Sequence, residues 1–303
     1  MKLVRNSFEL FLIFLYIVSM SILGIGQSVY DMVLPVDHIP ENEKIRIYHS
    51  VSCMGGPVSC AMYVCGKWHA DTHIMTRIGN DVWGKEIIKT LQEVNIDVSS
   101  MVIDPSITTS QSHILVFPSG DRTILNVPIQ KKSSMEPMWP DQVDVILMDG
   151  HEVEWCKEAM KRYPSAITIL DGDKYKPETE DLIHQVDYLI CSQQFTNMLD
   201  IHSYHQLAAL NPSSIWTQGS KGCIYQNQVY PSYPCKVMDT TGAGDVFHGA
   251  FAYGMDSGFD IPSCIRISNM AAAMVCEGLG GVLSIPTWES VNERLSICEK
   301  NRK

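Results

Sequence analysis

The stretch Asp239-Thr240-Thr241-Gly242-Ala243-Gly244-Asp245, followed by Val246-Phe247-His248-Gly249-Ala250, decides how this chain is interpreted. Two threonines lead into a glycine turn, and small residues at helical spacing begin directly after the acid. A turn that opens a helix leaves backbone N–H groups without intrahelical acceptors, and the helix dipole adds to their attraction for an anion. At its edge, Asp245 suits a general base that takes a proton from a hydroxyl. The alternative is a structural turn whose aspartate caps a helix.

The composition is that of an ordinary globular protein. The chain has 303 residues, of which 45% are hydrophobic and 19% are charged, enough for one large α/β domain or two smaller ones. A net charge of −11 argues against nucleic acid or an anionic membrane as the main partner. The ten cysteines include no Cys-x-x-Cys pair and lie mostly in apolar runs. This predicts reduced, buried cysteines in a cytoplasmic protein.

The N-terminus contains an apolar run from Phe8 to Leu23, behind two basic residues. Such a run is typical of a signal peptide or a membrane anchor. However, Glu9 interrupts it, and a core strand that ends in a glycine turn already begins near Ser21. We therefore expect residues 1–19 to derive from an upstream start codon, a functional domain over residues 20–303, and no stable membrane association.

The rest of the chain alternates between apolar runs and helical segments, which predicts a parallel, doubly wound sheet with helices on both faces. Short strands flank the turn Pro118–Asp121, and another is predicted over Ile45–Val51. Together they predict a small separate sheet that covers a substrate. Arg122, at the tip of this sheet, is either a solvated charge or a substrate contact. The main strands are predicted at residues 145–148, 167–170, 188–191 and 214–217.

Other glycine motifs are less specific. Gly24-x-Gly26 lacks the third glycine of a dinucleotide fingerprint, which disfavours a nicotinamide-dependent oxidoreductase. Gly79-x-x-x-x-Gly84-Lys85 is no P-loop, because Glu86 stands where a hydroxyl must bind Mg²⁺. Gly55-Gly56 either lets backbone approach a ligand or only marks a turn. Asp31, just past the predicted end of the first strand, is either a polyol ligand or a turn aspartate.

Taken together, these stretches resemble the PfkB, or ribokinase-like, carbohydrate kinase family. Two signatures match in order: Gly55-Gly56 through Gly79-x-Asp81-x-x-Gly84, and Asp239 to Asp245 followed by Phe247, Gly249 and Ala250. The likeness covers about Ser21 to Pro286. It implies a ribokinase-like three-layer α/β/α sandwich with a mostly parallel central sheet and a small β lid, over about residues 32–51 and 112–127. It also implies ATP- and Mg²⁺-dependent phosphorylation of a sugar hydroxyl, and frequent dimerisation through the lid.

The resemblance also implies roles for individual residues. The catalytic base would be Asp245, and its anion hole would be formed by Gly242, Ala243 and Gly244. ATP would be lined by Thr217, Gly219, Lys221 and Gly222, with its adenine near Asn269. The sugar would face Asp31, Gly55 and Gly56. Many family members hold a monovalent cation such as K⁺ with hard oxygen ligands, and the matching positions are Asp239, Thr241, Val275, Gly278, Gly280 and Ser284.

Three positions depart from the family pattern. Cys60 replaces an asparagine that often hydrogen-bonds the sugar, and Val29 stands where ribokinases proper carry asparagine, so ribose is disfavoured. The family's Asn-x-x-Glu, which helps to organise Mg²⁺, falls on Ser192-Gln193-Gln194-Phe195. Met148-Asp149-Gly150-His151 favours a fructokinase-like or sugar-acid branch.

An ATP-dependent sugar kinase is the leading interpretation. A nucleoside or phosphosugar kinase of the same family, and a non-catalytic sugar-sensing relative, are the alternatives. A phosphosugar would need cations near the pocket, and the nearby candidates are Arg122, Lys131 and Lys132.

Overall fold

The computed structural model describes residues 20–119, 121–130 and 133–300. The expected extension over residues 1–19 therefore lies outside the described residues, as do Lys131 and Lys132. In chain order the strands are β1 (Ser21–Ile25), β2 (Val29–Pro35), β3 (Val51–Gly55), β4 (Asp71–Met75), β5 (Arg77–Gly79), β6 (Val102–Asp104), β7 (Gln111–Val116), β8 (Arg122–Val127), β9 (Val145–Met148), β10 (Ile167–Gly172), β11 (Tyr188–Cys191), β12 (Ile215–Thr217), β13 (Cys223–Tyr225) and β14 (Gln228–Tyr230). The helices are α1 (Pro57–Lys67), α2 (Val82–Gln92), α3 (Val153–Arg162), α4 (Glu180–Gln185), α5 (Gln193–Met198), α6 (Tyr204–Leu210), α7 (Ala243–Asp256), α8 (Ile261–Val275) and α9 (Trp288–Lys300).

The central sheet has eight strands in the order β14-β13-β12-β11-β10-β9-β1-β4. The strands from β4 to β12 run parallel, whereas β13 and β14 continue the sheet antiparallel at one edge. Every residue of β1 and β9 is buried. Burial of whole strands is typical of a parallel sheet that is covered on both faces. The predicted doubly wound α/β sheet is confirmed.

Alternate residues of the central strands point into two separate hydrophobic cores. Ile22 and Leu147 belong to the core that the sheet shares with α1, α7, α8 and α9. Leu23 and Met148 belong to the core on the opposite face, with α3, α4, α5 and α6. The alternation follows from the pleat of a strand, in which successive side chains point to opposite faces.

Helix α7 packs closely against α1. A Cβ atom on Gly249 would lie 2.2 Å from the carbonyl oxygen of Ala61. The thiol of Cys65 donates a hydrogen bond to the carbonyl of Gly249 at 3.2 Å. Small residues in α7 are therefore required by the close approach of the two helices, and this packing fixes the position of the helix on the sheet.

A separate four-stranded sheet, in the order β3-β2-β7-β8, forms the lid. The predicted strand over Ile45–Val51 is wrong. Ile45 and Tyr48 are exposed, and only the last residue of the predicted range, Val51, lies in a strand, where it begins β3 and pairs with β2. Asp31 also differs from the prediction, since it lies within β2. Because only three residues separate β1 from β2, the chain passes directly from the central sheet into the lid.

None of the helices within the described ranges has the length and apolar character needed to cross a membrane.

Candidate active site

The carboxyl ends of the parallel strands bring polar side chains to one edge of the central sheet. The hydroxyl of Ser192, after β11, donates to the carbonyl of Asp173, after β10, at 2.7 Å. The hydroxyl of Thr217, at the end of β12, donates to the carbonyl of Cys191 at 3.1 Å. Neighbouring strand ends are therefore tied to one another. Ligands bind at this edge in open α/β sheets.

Helix α7 begins at this edge with a glycine turn. Gly242 is the N-cap and has a φ of 77°, in the left-handed region that favours glycine. Gly244, two residues later, has an ordinary helical conformation, and a Cβ atom added there would meet no atom within 4 Å apart from its chain neighbours and the backbone of its own helix. Neither conformation nor packing explains this glycine. Its lack of a side chain leaves open the space before the first amides of the helix, as an anion site requires.

Asp245, in the first turn of α7, lies beside this open space. One of its carboxylate oxygens would be 3.9 Å from a Cβ atom on Gly242. Burial raises the pKa of Asp245 to about 8, the nearby Asp171 and Asp173 contribute to the rise, and His248 opposes it. A carboxyl whose pKa lies near neutral pH suits a group that accepts and releases a proton.

Behind Asp245, the buried His248 joins α7 to the sheet. Its Nδ1 lies 2.6 Å from the carbonyl oxygen of Gly244, and its Nε2 lies 3.4 Å from that of Ile190 and 3.5 Å from Oδ1 of Asp171. Burial lowers the pKa of His248 and raises that of Asp171 to about 8. Because a carbonyl oxygen can only accept, Nδ1 of His248 must carry the ring proton. Nε2 and Oδ1 of Asp171 then face each other, and one of the two must carry a further proton for them to form a hydrogen bond.

His248 is not among the site residues that the sequence predicts. The signal that could have found it is its spacing from Asp245, because residues i and i+3 of a helix lie on one face.

Asp31 faces the paired glycines across the lid. A Cβ atom on Gly55 would lie 1.9 Å from a carboxylate oxygen of Asp31. Gly56 has a φ of 93°, and a Cβ atom there would meet the carbonyl of Gln27 at 2.5 Å. Burial raises the pKa of Asp31 to about 7, and a hydrogen bond from Ser112 partly opposes this rise. The structure brings the three residues together, and their contact with a sugar stays a prediction.

Cys60 lies between the lid and α7. Burial raises the pKa of its thiol well above the usual range, and Asp245 and Asp31 both add to the rise. Asp31 of the lid and Asp245 of α7 are therefore both close enough to Cys60 to raise the pKa of its thiol.

The turn between β12 and β13 holds the residues predicted to line ATP, with Gly219–Lys221 forming a short 3₁₀ helix. Gly219 has a φ of 57°, and a Cβ atom there would meet nothing within 4 Å. Gly222 has a φ of 89°, and a Cβ atom there would lie 2.1 Å from the carbonyl oxygen of Tyr230. Asn269 is buried and donates to that same carbonyl at 3.3 Å. It therefore supports β14, and its contact with adenine stays a prediction.

The residues predicted around a monovalent cation meet beside the α7 turn. The buried carboxylate of Asp239 accepts from the amide of Thr241 at 2.8 Å and from that of Gly280 at 3.0 Å. A Cβ atom on Gly278 would lie 2.1 Å from the hydroxyl oxygen of Ser284. The amide of Gly278 donates to the carbonyl of Val275 at 3.3 Å.

One polar atom in this group lacks a partner. The hydroxyl oxygen of Thr241 is buried and has no hydrogen-bond partner within the part of the chain that the structure describes. Buried polar atoms are normally paired, so an unpartnered oxygen needs an explanation. An oxygen among backbone carbonyls and a carboxylate is the kind of ligand that a hard cation prefers.

A second polar cluster lies at the ends of β1 and β9. The carboxylate of Asp149 accepts from the amides of Gln27 at 2.8 Å and Val58 at 3.3 Å, and from Nδ1 of His151 at 2.9 Å. Nζ of Lys176 lies 3.2 Å from Nε2 of His151. Burial opposes the ionisation of Asp149, but His151 and the amides hold its pKa below the usual value. The cluster borders a cavity of about 1730 Å³.

Comparisons with known proteins agree with this geometry. Residues 20–288 match the model of the pfkB family carbohydrate kinases. A ribokinase from Bacillus subtilis is 25% identical over 290 residues, which cover 90% of this chain and 98% of the relative. A nucleoside kinase from Methanocaldococcus jannaschii is 24% identical over 295 residues, which cover 92% and 96%. The structure of Arabidopsis thaliana ribokinase complexed with ribose and ATP has a TM-score of 0.75 at 21% identity, covering 92% of this chain and 99% of that one.

The similarity extends over nearly the full length of both the chain and its relatives, and these relatives are phosphotransferases that act on an alcohol group. The chain belongs to the PfkB family of carbohydrate kinases.

Proposed function

We propose that the protein transfers the γ-phosphoryl group of ATP to a hydroxyl of a small sugar. The observation that carries the proposal is the start of α7, where Gly244 leaves the first helical amides open and Asp245 stands beside them with a raised pKa. In-line phosphoryl transfer needs positioning and charge stabilisation more than covalent chemistry. A base beside an open set of amides meets both needs.

In the proposed reaction, the substrate oxygen forms a bond to the γ-phosphorus as the bond to the β,γ-bridging oxygen breaks. The electron pair of the broken bond leaves with ADP, and the hydroxyl proton passes to Asp245. The amide at Gly244 would stabilise the charge on the phosphoryl oxygens, because it is oriented before the reaction starts. The amide of Ala243 donates to the carbonyl of Thr240 at 3.3 Å and would have to exchange that acceptor for a phosphoryl oxygen. Since the pKa of Asp245 is about 8, the ionised base becomes more abundant as the pH rises from 6 towards 9.

The turn between β12 and β13 supports the ATP site. Gly219 leaves open space on the solvent side of the turn, and Gly222 lets the turn pack against β14. Thr217 precedes both glycines at the end of β12, and Lys221 lies between them. We assign the nucleotide to this turn, with its phosphates directed towards α7.

Mg²⁺ fits the site only as an ion shared with the nucleotide. Within the described residues, no group of three or more His, Cys, Asp or Glu side chains is arranged to hold a metal. Mg²⁺ commonly binds through one or two carboxylates and substrate phosphates and keeps several waters. Asp171 and Asp173 would supply the carboxylates, since Phe195 is buried in the core and Ser192 bonds to the Asp173 carbonyl. When bound, the ion would neutralise phosphate charge.

K⁺ is proposed at the group formed by Asp239 and its neighbours. The unpartnered hydroxyl of Thr241 supports this assignment. The residues of the group hold the turn that leads into α7, so a bound cation would stabilise the conformation of the anion site.

A nucleoside is the second candidate acceptor. The similarity to a nucleoside kinase favours it. Asp31 would bind hydroxyl groups of either acceptor.

The test is ADP release with Mg-ATP and K⁺ across hexoses, pentoses, sugar acids, phosphosugars and nucleosides. Asp245→Asn should lose nearly all turnover and still bind ATP, whereas the control Asp181→Asn, an exposed acid on α4, should remain active. An active Asp245→Asn variant would refute the role of the base. Nucleotide binding with no turnover on any acceptor would instead favour a non-catalytic sugar-sensing protein.

A further inference from the structure

One buried side chain connects the helix that carries Asp245 to the central sheet. His248 lies three residues further along α7 and is buried. Its Nδ1 donates to the carbonyl oxygen of Gly244 at 2.6 Å, and its Nε2 lies 3.4 Å from that of Ile190. Oδ1 of Asp171 is 3.5 Å from the same Nε2. The ring therefore bridges the first turn of α7 and the carboxyl ends of two strands.

The two strand residues that the ring reaches lie side by side in the sheet. Asp171 of β10 and Ile190 of β11 are direct partners in the parallel pairing. The amide of Asp173 donates to Oδ1 of Asp171 at 2.9 Å, so this oxygen is held by the protein. Among the described residues, no hydrogen bond reaches Oδ2 of Asp171, which leaves that oxygen free to bind a ligand.

The start of α7 is also held from the lid side. Nη1 of Arg122, the first residue of β8, donates to the hydroxyl of Thr240 in the turn before the helix, at 2.7 Å. That contact fixes the turn relative to the lid, whereas His248 fixes the first helical turn relative to the sheet. The distance between the helix and Asp171 therefore depends on His248.

Space filling does not explain an imidazole at this position. Phe251, three residues further along α7, packs on Tyr188 of β11 with an apolar ring. Burial of two ring nitrogens costs free energy unless both have partners, so an apolar side chain would fill the space at lower cost. Burial lowers the pKa of His248, and Asp245 and Asp173 oppose that change. The ring thus lies among the acidic side chains of the candidate site.

We propose that His248 is a positioning residue that holds the carboxylate of Asp171 at a fixed distance from the start of α7. The base and the carboxylate proposed to bind Mg²⁺ then serve the same phosphoryl group. His248 contacts neither the substrate nor the metal. Replacement of a residue that hydrogen-bonds a metal-binding carboxylate typically costs about 10- to 100-fold in metal affinity or activity. This inference rests on the proposed kinase function.

The competing explanation is that His248 only secures α7 through the carbonyl of Gly244. Two amide side chains separate the explanations. Asparagine places its nitrogen where Nδ1 stands and can donate to Gly244, but it is too short to reach Asp171. Glutamine extends to the position of Nε2, and its amide can donate to or accept from the partners there.

The experiment is calorimetric titration of ADP into the wild type, His248→Asn and His248→Gln, once with saturating Mg²⁺ and once with a chelator. The ratio of the two affinities reports Mg²⁺ binding without turnover. In His248→Asn this ratio should fall towards one, whereas His248→Gln should keep the wild-type ratio. At saturating Mg-ATP, kcat of His248→Asn should fall about 10- to 100-fold with an unchanged KM for the best acceptor.

A second test uses the double variant Asp171→Asn/His248→Asn. Because His248 acts through Asp171, the double variant should have the same affinity ratio as Asp171→Asn alone. The matched control is His184→Asn. His184 on α4 also lies against a carbonyl oxygen, that of Leu210, at 2.9 Å, and its replacement should leave every measurement unchanged. Thermal unfolding of each variant checks that it is folded.

A wild-type affinity ratio in His248→Asn overturns the proposal, and so does an equal fall in His248→Asn and His248→Gln. Additive effects in the double variant also overturn it, because the two residues would then act independently. A wild type that binds ADP equally with and without Mg²⁺ refutes the metal assignment on which the inference rests. A wild type that does not bind ADP under either condition refutes the kinase function itself.

Discussion

The substitution Gly244→Ala is expected to preserve the fold at the start of α7 and to impair the function of this turn. The glycine has a helical conformation, and the added methyl group would meet no atom within 4 Å apart from its chain neighbours and the backbone of its own helix. Alanine in place of glycine typically stabilises a compatible helical site by about 0.4–1 kcal/mol. We therefore expect an unchanged or slightly higher melting temperature, together with a loss of turnover.

The size of the loss follows from the position of the methyl group. It would occupy the space in which the phosphoryl oxygens meet the amides, and it would displace them by roughly 1 Å. A displacement of that size can cost about 100-fold in rate. ADP release at saturating ATP, measured with the best acceptor of the panel, gives the effect on turnover.

Gly242→Ala is the matched control. Its φ of 77° is unfavourable for a residue with a side chain, so this variant should lose about 1–2 kcal/mol of stability. Full activity of Gly244→Ala would refute the assignment of the anion site. A clear fall in its melting temperature would show that the glycine is required by the fold.

Three further predictions concern proton and cation chemistry. At saturating substrates, turnover should increase as the pH rises through about 8, where Asp245 ionises, and a flat profile from pH 6 to 9 would contradict the assigned base. In the free protein, the raised pKa of this carboxyl contributes stability below its unfolded value near 4 that is lost as the pH rises through about 8, so Asp245→Asn should raise the melting temperature at pH 8 and not at pH 4. Thr241→Val should abolish activation by K⁺ relative to a large organic cation, and an equal response to K⁺ in the variant would exclude this hydroxyl as a ligand.

The sequence predicts the parts of the fold that depend on local patterns. Val145–Met148 and Tyr188–Cys191 are strands with the predicted bounds, because fully apolar runs of this length have few alternatives. The lid was predicted less well. Ile45–Val51 alternates like a strand but is not one, because strand pairing depends on a partner that is distant in sequence. Likewise, the stretch Thr72–Ile78 predicts one strand, whereas the chain leaves the central sheet at Thr76 and forms β4 and β5.

The candidate site divides in the same way. The α7 turn could be found because its glycines and acids are adjacent in sequence. The contact of Arg122 with Thr240 joins residues 118 positions apart, and the pairing of His248 with Asp171 joins a helix to a strand end. Neither contact produces a local sequence pattern, so both could be identified only from the folded structure.

The glycines show most directly why both the sequence and the structure are needed to identify the site. Gly222 and Gly249 are required by packing, since a Cβ atom at either position would lie within 2.2 Å of a backbone carbonyl oxygen. At Gly219 and Gly244, a Cβ atom would meet only open space. Gly258, beyond the far end of α7, is open as well, but Gly219 and Gly244 are the two open glycines in the described part of the chain that lie at the carboxyl edge of the sheet. Because these two glycines lie in different turns of one sheet edge, we infer that a single extended ligand spans both, as a nucleotide with its phosphates would.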